Sequence, residues 1–171
     1  FFKDQLVFTS DRIQNISEEK YKYLHVYFNE LKKSGSENNM PVAFPYPVNS
    51  DFHDGPVSFN AEHTKMLITH VDLIGRRDKN FVNRSKLFFS ELNGKRWSKP
   101  QPFQYNSDDF SIAHACLSTD GQMLFFASDM PGGQGGMDIY VSLKDGEIWG
   151  APQNLGNKVN TAGEEVFPYF R

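Results

Sequence analysis

A chain of 171 residues has the length of one domain, and its 39% hydrophobic and 15% aromatic residues exclude a disordered protein. Its 18 basic and 21 acidic side chains leave a formal charge of −3, which disfavours nucleic acid as a general partner. The longest apolar runs, such as residues 123–127, are far shorter than the ~20 residues of a membrane helix, so direct membrane insertion by this segment is not expected.

The single cysteine and the first residues bear on cellular context. One cysteine, Cys116, excludes an internal disulfide and is compatible with the cytosol or with a periplasmic protein that lacks disulfides. The chain starts at Phe1 without an initiator methionine or a signal peptide, so we expect a piece of a longer protein.

Strand-like segments recur in the same order along the chain. An apolar segment closed by aspartate lies at 5–11, loosely at 66–72 and clearly at 123–129. A second apolar segment follows each, at 26–29, 87–90 and 139–142. A Gly-containing turn followed by tryptophan occurs at 93–97 and 145–149. The last anchor is an asparagine before a further apolar strand: Asn49 before 57–59, Asn106 before 113–117, and Asn160 before 166–170. Four anchors that recur together indicate three copies of a unit of about 57 residues.

Each unit contains four short strand candidates, which is the content of a β-propeller blade. The sequence therefore predicts an all-β fold: an arc of about three four-stranded antiparallel blades spanning residues 1–171. The units are 1–52, 53–110 and 111–165, and residues 166–171 start the next blade. Asp145-Gly146 is expected to form a tight type I′ turn. Because propellers close with ~4–8 blades, three blades predict part of a larger ring.

Residues 118–129 and 132–140 resemble the WD-like repeat of TolB-type periplasmic β-propellers. The continuation at 149–156, 159–161 and 164–168 is similar to the version in OmpA-family, outer-membrane-associated lipoproteins, a family that includes a component of type IX secretion. The match is close over 111–171, moderate over 53–110 and weak over 1–52. The first unit lacks both the Asp-Gly turn and a tryptophan, and the second has Ala61-Glu62-His63 at the expected turn.

The resemblance implies a non-catalytic protein-interaction scaffold in the periplasm, associated with the outer membrane. Its partners would be other cell-envelope or secretion-system proteins, while other domains of the parent would attach it to the outer membrane and peptidoglycan. No catalytic residue, cofactor or metal site is implied. The alternative is the propeller domain of a hydrolase, either gating a peptidase or acting on glycans. Direct glycan binding is a third option, although the repeated positions of Trp97 and Trp149 favour packing.

Candidate chemistry is sparse. The turns at 90–97 and 142–149 resemble the Asp-boxes of sialidase propellers with one residue misplaced, but the six arginines do not recur at equivalent places. His114 is expected to hydrogen-bond to a neighbouring blade or to Asp129 rather than to bind a ligand. Cys116 is expected to be a small buried hydrophobe. Acidic residues on equivalent connections leave a calcium site as a less favoured option. These are Asp51, Asp54, Asp108, Asp109, Glu164 and Glu165.

Positive charge concentrates in the middle unit. Residues 65–99 hold nine basic and three acidic side chains. Four of the basic residues lie on the connection between the second and third strands, which is longer than its counterpart in the third unit. They are Arg76, Arg77, Lys79 and Arg84. Because long charged loops on rigid scaffolds often bind partners, this connection is the candidate interaction loop, with a merely solvated loop as the alternative.

Overall fold

The computed structural model describes residues 5–12, 23–30, 40–71 and 82–170. Within these ranges the chain is all-β, with 13 strands in three antiparallel sheets and no helix. The described residues therefore include no helix that could cross a membrane. This confirms the predicted all-β class, whereas the division into units stays a prediction.

Sheet 1 is the smallest of the three sheets. Its strands, in the order in which they pair, are β1 (Gln5–Ser10), β2 (His25–Glu30) and β3 (Val42–Ala43). The predicted strand at 5–10 is therefore present with the expected bounds.

Sheets 2 and 3 repeat one arrangement of five strands. Sheet 2 contains β4 (His53–Phe59), β5 (Lys65–Val71), β6 (Ser85–Asn93), β7 (Arg96–Trp97) and β8 (Gln101–Pro102). Sheet 3 contains β9 (Ile112–Leu117), β10 (Met123–Ser128), β11 (Asp138–Asp145), β12 (Ile148–Trp149) and β13 (Gln153–Asn154). The expected fourth strand is thus two short pieces that both pair with the third strand. Pro100 and Pro152, which have no N–H to donate, lie in the gaps.

The turns before the two tryptophans have a conformation different from the predicted one. Gly94 and Gly146 have φ of 63° and 59°, while Lys95 and Glu147, which follow them, do not have positive φ. A type I′ turn needs positive φ at both central residues, whereas type II′ needs it only at the first. The φ values fit type II′, so the type I′ expectation was wrong.

One asparagine per unit bridges one strand of its sheet: β2 in sheet 1, β6 in sheet 2 and β11 in sheet 3. In sheet 3, the Ile139 N–H donates to Asn160 Oδ1 (2.7 Å), and Asn160 Nδ2 donates to the Ile139 carbonyl (3.0 Å). Asn49 and Asn106 make the same pair of bonds to Val26 and Leu87. The asparagine Oδ1 therefore satisfies a backbone N–H that would otherwise lack a partner, and its Nδ2 adds a second bond to a carbonyl that also accepts the N–H of Phe44, Phe103 or Leu155.

These asparagine bridges also correct the sequence alignment of the units. The bridged residues Val26, Leu87 and Ile139 pair across their sheets with Thr9, Thr69 and Ala127. Since Thr69 is equivalent to Ala127, the residue equivalent to Asp129 is Val71 and not Asp72. The recurrence proposed at 66–72 was therefore displaced by one residue.

The sheets pack face to face in chain order around two apolar clusters. Between sheets 1 and 2 lie Val26, Phe44, Val48, Met66 and Ile68. Between sheets 2 and 3 lie Leu67, Leu87, Phe103, Ile112, Ala115, Leu124, Phe126 and Tyr140. Successive residues of β5 thus face opposite neighbours, as the alternation of a strand requires. Trp97 packs on the first cluster and Trp149 on the second, where it stacks on Phe89 with 6.2 Å between ring centroids.

The first strand of each unit docks on the preceding sheet through a repeated hydrogen bond, which we call the inter-sheet latch. In each latch a backbone N–H at or just before the start of β2, β6 or β11 donates to a side chain of the segment that follows that sheet in the chain. The pairs are Leu24 with His53 Nδ1 (3.1 Å), Ser85 with Ser111 Oγ (3.3 Å), and Met137 with Glu164 Oε2 (2.8 Å). In the first and third latches, the Leu24 and Met137 carbonyls accept the N–H of Asp54 and Glu165 at 2.7 Å.

The segment 164–170 therefore docks on sheet 3 in the same way as β4 docks on sheet 1 and β9 on sheet 2. Phe167 stacks on His114 (3.8 Å between centroids) and Phe170 on Phe125 (5.7 Å). Phe167 and His114 share a left-handed backbone, with φ of 56° and 55°. The expected strand at 166–170 is not paired with any described strand, because no further sheet lies beside it in the described part of the chain.

The Asn160 bridge is open to a direct stability test. Asn160 is 1% exposed, so Asn160→Ala leaves the Ile139 N–H buried without a partner, while the Ile139 carbonyl keeps the Leu155 N–H (3.1 Å), and it is expected to lower the free energy of unfolding by about 1–3 kcal/mol. Asn160→Asp keeps the acceptor for the N–H but loses the donor, and should be intermediate. Urea unfolding at neutral pH measures both. Equal stability of Asn160→Ala and the wild type would contradict the bridging role.

Candidate functional site

The candidate interaction loop is described only at its last residue. Arg76, Arg77 and Lys79 fall within 72–81, outside the described residues. Arg84 precedes β6, and its Nη1 lies 2.8 Å from Asp129 Oδ2, at the end of β10 in sheet 3. Both side chains are about 30% exposed, and Asp129 Oδ1 also accepts the Ser111 N–H (2.6 Å). Arg84 therefore links two sheets. Arg76, Arg77 and Lys79 remain as the candidate binding residues of the loop.

One of two fully buried aspartates among the described residues, Asp54, lies between sheets 1 and 2; the other, Asp138, lies in sheet 3. Asp54, whose side chain is 2% exposed, has Oδ1 at 2.7 Å from His70 Nδ1 and Oδ2 at 3.2 Å from His25 Nδ1. Asp54 Oδ2 also accepts the Ser50 N–H (2.7 Å) and hydroxyl (3.2 Å). Both carboxylate oxygens are thus satisfied, which offsets the desolvation of the buried group.

Ser50, His70 and Asp54 are the residue types of a hydrolytic triad, but their atoms are arranged differently. In a triad, one imidazole nitrogen contacts the carboxylate and the other contacts the serine hydroxyl. Here Ser50 Oγ lies 3.4 Å from His70 Nδ1, the nitrogen that also faces Asp54. The Ser50 hydroxyl also donates to Asp54 itself. This arrangement holds a buried carboxylate between two sheets and has no relay from serine through imidazole.

A small cavity opens beside this cluster. It has a volume of about 200 Å³, and its polar lining consists of Ser50, Asp54, His70 and Lys99. A larger groove of about 530 Å³ lies nearby between sheets 1 and 2. Its aromatic lining includes Phe28, Phe44, Tyr46 and Trp97, and its basic residues are Lys95 and Arg96. An aromatic floor with two cations suits an acidic, partly apolar surface segment of a partner.

His114 differs in one respect from the expectation. Its backbone N–H donates to Thr69 Oγ1 of sheet 2 (3.1 Å), so the predicted bond to a neighbouring unit exists, but through the backbone. The side chain does not reach Asp129; it stacks on Phe167, and its Nδ1 is buried without a hydrogen-bond partner. Burial lowers the pKa of His114, because a charged imidazolium loses hydration there.

The structure also places the remaining candidates that fall among the described residues. Burial raises the pKa of Cys116, although a backbone hydrogen bond at Phe170 partly opposes this, so the thiol is not activated. His63 lies in the turn before β5 and His70 near the end of that strand, so the two histidines are not neighbours. Asp108 pairs with Lys86 (2.6 Å), and Glu165 accepts the Thr161 N–H (2.9 Å). Among the described residues, no three His, Cys, Asp or Glu side chains are placed to hold a metal ion.

No family model matches the chain, and comparison with curated proteins gives no match. Inference about its function therefore depends on the geometry described above and on the repeat motifs.

Sequence reasoning missed the Asp54 cluster. His25 and His70 lie 29 and 16 residues from Asp54, and only the packing of sheet 1 on sheet 2 brings them together. A partial signal existed, because Asp54 follows the asparagine anchor in a first strand that also contains His53. Nothing in the linear pattern distinguished Asp54 from the solvated acids on the same connections.

The unpartnered imidazole of His114 predicts a pH dependence of stability. Because folding lowers the pKa of His114, the unfolded chain binds more protons below the ordinary histidine pKa of about 6.5, and stability should fall as the pH drops below that value. We expect His114→Asn, which tolerates the left-handed backbone, to lose less stability than the wild type between pH 7 and pH 5. Urea unfolding at the two pH values measures this. An equal loss in both proteins would contradict the assignment.

Proposed function

We propose that the chain is an arc of three β-propeller blades, part of a larger propeller, and that it acts as a non-catalytic scaffold for protein–protein interaction. The observation that carries the proposal is the inter-sheet latch, which joins three successive units in the same way. A propeller requires each blade to pack on its neighbour with its first strand towards a common axis. Contacts of β4 with β1 and β2, and of β9 with β4, β5 and β6, support that arrangement.

The distribution of polar groups supports a binding role. Asp54, Asp129 and Asn160 are occupied by contacts that hold sheets and strands together. The groove with Lys95 and Arg96 and the loop with Arg76, Arg77 and Lys79 both belong to the basic middle unit. Propellers leave such loops and grooves open while their strand edges are covered. We therefore propose that the middle unit presents the binding surface to an acidic partner.

The proposed setting is the periplasm, in a parent protein associated with the outer membrane. The resemblance of residues 111–171 to TolB-type repeats of OmpA-family lipoproteins supports it. The partners would be other cell-envelope or secretion-system proteins, those of type IX secretion among them. Attachment to peptidoglycan would belong to other domains of the parent.

A hydrolase-associated propeller is the second candidate, and Ser50, His70 and Asp54 are the residues that favour it. The use of the same His70 nitrogen by Ser50 and Asp54 argues against it. We expect no turnover of ester, peptide or glycoside substrates and no labelling of Ser50 by a fluorophosphonate probe. The matched control is Ser50→Ala. Labelling or hydrolysis that this substitution abolishes would establish the second candidate.

The charged loop gives a test of binding. Arg76, Arg77 and Lys79 changed together to Glu should reduce capture of envelope proteins at least about tenfold, since like charges would then face an acidic partner. Wild-type capture should also weaken as salt is raised. The control is Lys158→Glu, at an exposed position in the third unit. Arg84 is left unchanged because its ion pair with Asp129 joins two sheets. Undiminished capture by the triple variant would return the loop to a merely solvated role.

A further inference from the structure

The groove of about 530 Å³ between sheets 1 and 2, which we call the first groove, has a counterpart between sheets 2 and 3. This second groove has a volume of about 330 Å³. Strand pairing and the bonds of the connections to the carbonyls of Val26 and Leu87 relate the two grooves position by position. Residues Phe28, Phe44 and Trp97 at the first groove correspond to Phe89, Phe103 and Trp149 at the second.

The second groove is narrowed by its own chain. The Trp149 carbonyl accepts a hydrogen bond from Gln104 Nε2 (2.8 Å), and the Trp149 ring stacks on Phe89. Tyr105 packs edge-on against Phe103, with 5.4 Å between ring centroids. The short connection 104–105 is therefore held against the outer strand of sheet 3.

The equivalent connection at the first groove is built differently. It has four residues, 45–48, where the short connection has two. Its first residue is Pro45, which has no side-chain donor at the place from which Gln104 donates. Tyr46 is 81% exposed, whereas Tyr105 is partly buried. The longer connection cannot close over the outer strand in the same way, which explains the larger volume of the first groove.

The two grooves also differ in charge. Glu147 lines the second groove and pairs with Lys144 (3.1 Å). The equivalent turn of sheet 2 places Lys95 and Arg96 at the first groove. No acidic side chain lines the first groove in the part of the chain that the structure describes, so the two cations face no opposite charge across it.

We propose that the first groove binds a short extended segment of a protein partner, in which one large apolar side chain is flanked by carboxylates. The apolar side chain would lie among Phe28, Phe44 and Trp97, and the carboxylates would face Lys95 and Arg96. The volume lies within the ~300–1,000 Å³ of sites that enclose small ligands. This inference rests on the proposed function as a protein-binding scaffold and specifies the chemistry of the segment that is bound.

The lining favours a peptide over an acidic glycan. Among the described residues, Gln5 and Tyr46 are the uncharged side chains of the lining that can form hydrogen bonds. A sugar carries several hydroxyl groups, and each one that is desolvated without a partner has a free-energy cost. A phenylalanine side chain has no such cost and gains from contact with the aromatic residues.

The two tryptophans of the chain allow the binding site to be located. Trp149→Phe leaves Trp97 as the one fluorophore of this kind, and Trp97→Phe leaves Trp149 as the matched control. The probe is a synthetic peptide with blocked ends and one phenylalanine between pairs of aspartates. It should change the emission of Trp97 in the first variant and leave that of Trp149 in the second unchanged. A change at Trp149, or no change in either variant at about 1 mM peptide, would overturn the proposal.

Charge reversal tests the role of the two cations, with Trp149→Phe as the background. Lys95→Glu combined with Arg96→Glu should weaken binding of the peptide at least about tenfold, and Arg96→Glu alone should weaken it less. Both side chains are exposed, so the fold should be retained. Lys158→Glu changes the net charge as much as Arg96→Glu and should leave the affinity unchanged. Equal affinity of the double variant and its background would contradict the assignment of the cations.

Related probes test the chemistry of the segment. A peptide with serine in place of phenylalanine, and one with lysine in place of aspartate, should each bind at least about tenfold more weakly. An oligogalacturonate represents the acidic glycan and should not change the emission of Trp97. Binding of the oligogalacturonate without binding of the aspartate peptide would overturn the proposed peptide ligand.

This inference and the proposed function fail in different ways. If the peptide does not bind but capture of envelope proteins still depends on Arg76, Arg77 and Lys79, the first groove is not the docking site and the scaffold function stands. The scaffold function fails instead if hydrolysis or labelling that depends on Ser50 is found.

Discussion

Docking of each first strand on the preceding sheet is the interaction on which the rest of this structure depends. A single three- or five-stranded sheet exposes two faces and an edge, and it buries too little apolar surface to be stable alone. The latch fixes where the next unit begins, because one backbone N–H can reach only one side chain of the incoming strand. Once β4 and β9 are placed, the alternation of β5 turns Met66 and Ile68 towards sheet 1 and Leu67 towards sheet 3. Sheet 2 thus contributes to both apolar clusters.

Different polar groups join the sheets at the two junctions. Between sheets 1 and 2, the junction contains a buried carboxylate, Asp54, held by His25, His70 and Ser50. Between sheets 2 and 3, the half-exposed pair of Arg84 and Asp129 takes part, and an ion pair of that exposure contributes less than about 1 kcal/mol. In both junctions a backbone N–H donates to a side chain of the incoming strand. The side chains differ because the latch requires only a hydrogen-bond acceptor at that position.

Ser50, His70 and Asp54 are the residue types of a hydrolytic triad, but they are arranged differently. Ser50 and Asp54 both contact the same imidazole nitrogen of His70, whereas a triad uses one nitrogen for each. His114 illustrates a second case, because its ring is used for stacking on Phe167. Polar groups held in such contacts stabilise the packed sheets, whereas loops on the surface can vary without disturbing the core.

The sequence by itself determined the all-β class, the recurrence of the units and the positions of most strands. Strand alternation and turn residues are local properties, so the segments at 5–10 and 123–128 were found with their correct bounds. It also marked Asn49, Asn106 and Asn160 as anchors, without revealing that their side chains bridge β2, β6 and β11.

Only the tertiary structure decided the rest. The one-residue displacement at Val71 depended on pairing register, which the pattern of the middle unit leaves open because its strands are buried on both faces. The Asp54 cluster depended on two sheets meeting, since its histidines come from separate strands. The ion pair of Arg84 likewise depends on Asp129, 45 residues away. Local propensity acts over a few residues, whereas these contacts form only when the units pack on one another.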